Sequence, residues 1–168
     1  MSFLHALFRM LDTIAPAPVA RAHCDIPCGI YDPHRALMAA HTVVRMVTLA
    51  QELEQKHEQH DADFRNSMIR YIATKEEHAE VCKHEVRILW GDYFKPEHLQ
   101  KHPQLHELVW KAMKLGSKAR QEANLQAAEE LLETVNKIAE IFWETKGIKT
   151  VRVKAPYPTA RETVYPKL

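Results

Sequence analysis

Residues 23 to 31 read His-Cys-Asp-Ile-Pro-Cys-Gly-Ile-Tyr, which leaves three residues between Cys24 and Cys28, the turn-former Pro27 among them, with His23 directly before the first cysteine. Thiolates beside an imidazole are ligands for transition metals. If the chain is cut after Ala22, His23 gains a free terminal amine. That amine, the Cys24 amide nitrogen and the Cys24 thiolate then form two fused five-membered chelate rings, which favour a planar array. Ionising a backbone amide near neutral pH is within reach of Ni(II) and Cu(II), which prefer square-planar fields. Cys28, carried round by Pro27, closes an N2S2 square. The His23 imidazole remains for an axial position, which Ni(III) uses and Ni(II) does not. Two thiolates and an amidate also favour the higher oxidation state, so the stretch has the donors of a one-electron redox centre.

Other readings of the same residues remain. Zinc wants four tetrahedral ligands, and neither Cys82 nor an adjacent histidine is placed to complete the set. An iron-sulfur run fails because its third position is Tyr31. Cys-x-x-Cys redox chemistry fails on spacing, and an ordinary turn stays open.

The nickel or copper reading requires loss of residues 1–22. Leu4, Leu7, Phe8 and Leu11 share one helical face, and the proline-rich stretch Ala15-Pro16-Ala17-Pro18 leads to Ala20-Arg21-Ala22. Ala-x-Ala suits a secretory cleavage site, but no Lys or Arg precedes the apolar part, and His5, Arg9 and Asp12 interrupt it. A docking segment for a dedicated processing peptidase fits better; an amphipathic helix that stays attached is the plain alternative.

The elements that must position these donors are helical. The chain has 168 residues, 46% of them hydrophobic, and only 4 glycines, enough for one domain with a real core. A net charge of +1 argues against nucleic-acid and membrane-surface partners. Three cysteines make a poor disulfide framework, which points to a reducing, cytoplasmic setting. No apolar run approaches the roughly 18 residues of a membrane span. Asp32-Pro33 signals a helix start, and helices are expected over about 33–56, 63–91, 103–116 and 118–146. The second should bury Phe64, Met68, Ile72, Ala79, Cys82, Val86 and Leu89; residues 92–102 read as irregular. In the last, Leu125, Ala128, Leu132, Val135, Ala139 and Phe142 form a seam spaced by threes and fours. The fold class implied is all-α, an antiparallel up-and-down four-helix bundle. Residues 148–168 read as a C-terminal extension, either a short strand, an arm on a neighbouring subunit or, by default, a loosely ordered tail.

The stretch His23 to Pro33 closely resembles the mature N-terminus of the nickel-containing superoxide dismutases. Leu89-Trp90-Gly91-Asp92-Tyr93-Phe94-Lys95-Pro96 and Ile141-Phe142-Trp143-Glu144-Thr145-Lys146 also look like that family, so the matches anchor most of residues 23–146. The resemblance implies a homohexamer of four-helix-bundle subunits, residues 23–147, each holding one nickel ion and freed of its leader by a dedicated peptidase. It also implies superoxide as substrate, disproportionated to oxygen and hydrogen peroxide by Ni(II)/Ni(III) cycling. His23 would supply the amine and axial imidazole, Cys24 an amide nitrogen and a thiolate, and Cys28 the second thiolate. By the same resemblance Tyr31 and Tyr93 line the pocket, Asp25 and Lys95 steady the hook, and Ile26-Pro27 is a cis peptide. The proton source is open among Tyr31, Tyr93, a protonated thiol and ordered water. The chain departs from the family where some members carry a glutamate and an arginine that steady the axial histidine; the matching positions are Ala39 and His78. The competing reading is a non-catalytic nickel or copper carrier or sensor, which would release metal readily and need not lose its leader. Protein purified in active form is expected to begin at His23 on N-terminal sequencing, and an intact Met1 would contradict the cleavage.

Overall fold

The structure, a computed structural model, describes residues 29–57 and 59–168. In chain order its elements are α1 (His34–Lys56), α2 (Ala62–Ile88) with a π-helical turn at Leu89–Tyr93, α3 (Pro96–Lys101), α4 (Leu105–Gln121), α5 (Leu125–Thr145), β1 (Thr150–Lys154) and β2 (Glu162–Pro166). The chain is mostly helical. The four long helices pack in a ring, α1 on α2, α2 on α4, α4 on α5 and α5 on α1. Cross-contacts set their directions: Arg35 at the start of α1 meets Glu85 near the end of α2, and Lys75 and Lys83 of α2 meet Arg120 and Ser117 of α4 in reverse order. Neighbours across these two contacts therefore run antiparallel. Inside the ring, Leu37, Val44, Val86, Leu105, Leu131 and Phe142 are all essentially excluded from water.

Caps fix several helix ends. Asp32 Oδ1 accepts from His34 N at 2.7 Å, Asp61 Oδ1 from Phe64 N at 2.8 Å, and Asn124 Oδ1 from Ala127 N at 2.9 Å, each satisfying an amide that lacks an intrahelical partner. The first helix matches its expected span closely. Others differ. Gly116 does not end a helix: α4 runs on to Gln121. A Cβ at Gly116 would lie 2.7 Å from Lys83 Cγ, so the glycine marks where α2 and α4 approach closely, and α5 starts only at Leu125. The stretch expected to be irregular contains α3, opened by Pro96 at its first position.

On α2, Phe64, Ala79, Cys82, Val86 and Leu89 are buried as expected, but Ile72 is 43% exposed and Met68 only half-buried. The buried position there is Lys75, whose ammonium donates to the carbonyls of Arg120 (2.9 Å) and Glu122 (3.0 Å). These carbonyls lie at the C-terminal end of α4, where a cation is favoured. Burial pulls the Lys75 ammonium below the usual lysine range, and its two carbonyl partners offset that cost.

The C-terminal segment is not the loosely ordered tail taken as the default but the short-strand alternative, a hairpin added to a mostly helical chain. β1 and β2 pair antiparallel from Thr150↔Pro166 to Lys154↔Glu162. A lone hairpin is marginal in water, and here polar side chains of two helices hold it. Asn136 of α5 donates to Glu162 O and accepts from Val164 N, both at 3.0 Å. Arg152 bonds Glu140 at 2.6 Å and Glu133 at 2.7 Å. His41 of α1, 3% exposed, lies between two hairpin hydroxyls, with Nδ1 2.9 Å from Thr159 Oγ1 and Nε2 hydrogen-bonded to Thr163 Oγ1.

Burial lowers the His41 pKa from 6.5 to about 4. Because the folded chain resists protonation where the unfolded chain accepts it, the stability from neutral His41 is complete above pH 6.5 and is lost as the pH falls toward about 4. The loss should reach roughly 3 kcal/mol. Urea unfolding across this window is expected to show the decline, and His41→Gln, which keeps hydrogen-bonding atoms without the titration, should flatten it; equal slopes in both proteins would contradict the assignment.

Candidate metal centre

Of the residues expected to form the site, His23, Cys24, Asp25, Ile26-Pro27 and Cys28 lie outside the described residues. The description begins at Gly29, whose φ of +73° is a left-handed conformation that costs an L side chain about 1 kcal/mol or more. The chain therefore turns directly after Cys28, and two residues later Tyr31 packs on Tyr93, ring centroids 5.5 Å apart.

Tyr93 reaches that position because α2 changes character at its end. The amide of Phe94 bonds Leu89 O at 3.0 Å, a five-residue step, so the last turn is wide and Tyr93 leaves the helix register there. Its ring lies 4.6 Å from the fully buried Phe142 of α5 and is stacked 5.7 Å from His98 of α3. The Lys146 ammonium sits 5.2 Å above both Tyr93 and Phe142, a cation–π arrangement. The Tyr93 hydroxyl is 2.6 Å from Thr145 Oγ1. Lys95 is exposed, and its backbone amide donates to His98 Nδ1 at 3.1 Å. That bond fixes the chain just after Tyr93 and leaves the His98 proton on Nε2.

The two departures from the family pattern are also visible. Ala39 is buried at 2% exposure in the core of α1, where a glutamate would need its own partner. His78 is half-buried and donates from Nδ1 to Thr74 O at 2.9 Å.

The donor chemistry fits a soft metal at the hook. Of three cysteines in the chain, Cys82 is wholly buried, and burial pushes its thiol up to about 12, so it yields no thiolate. Among the described residues no group of three His, Cys, Asp or Glu side chains stands ready to hold a metal. The other two cysteines of the sequence, Cys24 and Cys28, follow His23 and lie outside the described residues.

The sequence points to Tyr31 and Tyr93 and places Phe142 in the apolar seam of the last helix, but assigns Phe142, Thr145, Lys146 and His98 no part beside Tyr93. The first three lie inside the Ile141–Lys146 motif, and that was the available signal. His98 falls three residues after Lys95, in the first turn of the helix that Pro96 opens.

The described fold is a ring of helices in which Tyr31, three residues after Cys28 in the sequence, packs on Tyr93. The family model described as nickel-containing superoxide dismutase matches residues 18–146. The superoxide dismutase (Ni) of Streptomyces coelicolor is 39% identical over 132 residues, 79% of this chain and 94% of the relative. That of Streptomyces seoulensis is 38% identical over the same coverage. A native nickel superoxide dismutase structure at 1.30 Å superposes with a TM-score of 0.61 and 39% identity, covering 74% of this chain and 99% of that one. The chain belongs to the nickel-containing superoxide dismutase family, and with membership come the oxidoreductase activity and nickel as its cofactor. The hairpin beyond residue 147 lies outside the matched span.

Phe142 supports the wall from inside the core. Phe142→Ala is expected to cost about 3–5 kcal/mol in urea unfolding and to free the Tyr93 ring, seen as a loss of near-ultraviolet circular dichroism from aromatic packing. A loss under about 1 kcal/mol would mean that Phe142 is not the support.

Proposed function

We propose that the chain, shortened to His23 by a dedicated peptidase, disproportionates superoxide at a hook made of the His23 amine and imidazole, the Cys24 amide nitrogen and thiolate, and the Cys28 thiolate, with one nickel ion per subunit. The observation that carries this reading is the Tyr31–Tyr93 contact at 5.5 Å. It ties the residue just behind the hook to a wall built by α2, α3 and α5. When bound, the metal supplies one-electron exchange between Ni(II) and Ni(III), so that one superoxide leaves as oxygen and a second, with an added electron and two protons, leaves as hydrogen peroxide.

The protein's part is to hold the donors, restrict access and order the proton-bearing groups. Cys24 and Cys28 bring the soft anionic donors. Tyr31 and Tyr93 form the aromatic wall beside them and keep bulk water and larger anions from the pocket. Asp25 and Lys95 steady the folded hook, and Pro27 sets its turn, with Ile26-Pro27 read as cis. The ring of four long helices, antiparallel at α1–α2 and α2–α4, supports reading residues 23–147 as a four-helix-bundle subunit, and the family likeness supports a homohexamer. The absence of any helix long and apolar enough to cross a membrane among the described residues is compatible with a cytoplasmic enzyme.

Cys24→Ser and Cys28→Ser are each expected to abolish stoichiometric nickel binding and superoxide dismutation in processed protein. Tyr31→Phe should leave measurable turnover. Metal analysis and pulse radiolysis on the same samples check both, and normal activity in the Cys28→Ser variant would refute the hook. Processed protein that takes up nickel and releases it readily without turnover would favour a carrier.

A further inference from the structure

The wall contains a hydrogen-bond chain whose proton order can be worked out. Tyr93 Oη lies 2.6 Å from Thr145 Oγ1, and Thr145 Oγ1 lies 2.6 Å from Phe142 O. Oxygens this close need a proton between them, and a carbonyl has none to give. Thr145 has one hydroxyl proton, so it goes to Phe142 and the Tyr93–Thr145 proton belongs to the phenol. The helix end explains the commitment. Lys146 N bonds Trp143 O at 3.1 Å, which leaves the Phe142 carbonyl to be satisfied by the Thr145 hydroxyl.

We propose that Thr145 is a positioning residue of the dismutase site, which commits the only proton of Tyr93 to α5 so that Tyr93 presents a hydrogen-bond acceptor, and no acid, to the pocket. This rests on the reading that Tyr31 and Tyr93 line the pocket. It narrows the source of the two protons that leave with hydrogen peroxide: Tyr93 does not deliver them directly but orients a water by accepting its hydrogen bond. Holding the ring in place does not require the hydroxyl contact. Phe142 at 4.6 Å, His98 at 5.7 Å and Lys146 at 5.2 Å already pack it. Thr145→Val keeps the shape and removes the acceptor, while Thr145→Ser keeps the acceptor.

The test is ultraviolet resonance Raman of processed, nickel-loaded protein, with the Tyr93→Phe spectrum subtracted so that the remaining tyrosine Fermi doublet is that of Tyr93. The doublet is expected to be that of a phenol acting as a strong donor, to lose that character in Thr145→Val and to recover it in Thr145→Ser. In parallel, kcat/KM for superoxide should fall about three- to tenfold in Thr145→Val, the worth of one neutral hydrogen bond, and recover in Thr145→Ser. A wild-type doublet without donor character overturns the proton order, and that comparison stands even if Thr145→Val fails to fold. An impaired Tyr93→Phe beside an unimpaired Thr145→Val overturns the positioning role and leaves the pocket reading intact. Unimpaired turnover in both variants overturns the pocket reading itself.

Discussion

The contact on which the described site depends is that of Tyr93 with Phe142. Phe142 is wholly buried at the end of α5, and Tyr93 lies on it because the π-helical turn at Leu89–Tyr93 releases α2 from its register. Tyr31, the residue that joins the N-terminal segment to α1, rests on the outer side of the same cluster. Core packing is thereby transmitted in two steps to the chain just behind the hook. A short peptide that must hold a metal in one geometry gains from a rigid wall, because preorganised surroundings reduce the ordering cost of binding.

The C-terminal hairpin uses a different physical device. Its strands are short, and polar contacts hold it to α1 and α5: His41 between two threonine hydroxyls, Asn136 completing two backbone bonds, and Arg152 clasped by two glutamates. The buried members, His41, Thr163 and Asn136, hold firmly when every partner is satisfied and fail when one is charged or removed. The hairpin also reaches the root of the site. Val164, Tyr165 and Pro166 share a small cleft with Asp32, Pro33, His34 and Trp143. An addition outside the family core therefore packs against the first turn of the helix that follows the hook.

Much of this was legible from the residues, for reasons that separate what was read correctly from what was not. The long helices follow from apolar spacing and caps, which are local signals. Ile72 and Gly116 were misread because their roles depend on neighbours across a helix pair: Lys75 takes the buried position by bonding the end of α4, and Gly116 admits the Lys83 side chain. A strand in the C-terminal segment stood only as an alternative to a loose tail because His41 and Asn136, which anchor the hairpin, are remote from it in sequence. The hook's donors are proposed from the order of consecutive residues, because chelation by neighbours in sequence is a local property, and they lie outside the described residues. Tyr93 came from resemblance to a motif, and the work of Phe142, Thr145 and His98 became visible only when the fold set them around it.

The central claim is that the chain uses its own N-terminus as a redox nickel ligand set. Frozen-solution electron paramagnetic resonance of processed, nickel-loaded protein tests it most directly. The account predicts about one nickel per chain and a rhombic low-spin Ni(III) signal, split by an axial nitrogen that His23→Ala removes. Correctly processed, nickel-loaded protein that stays silent after oxidation would contradict it.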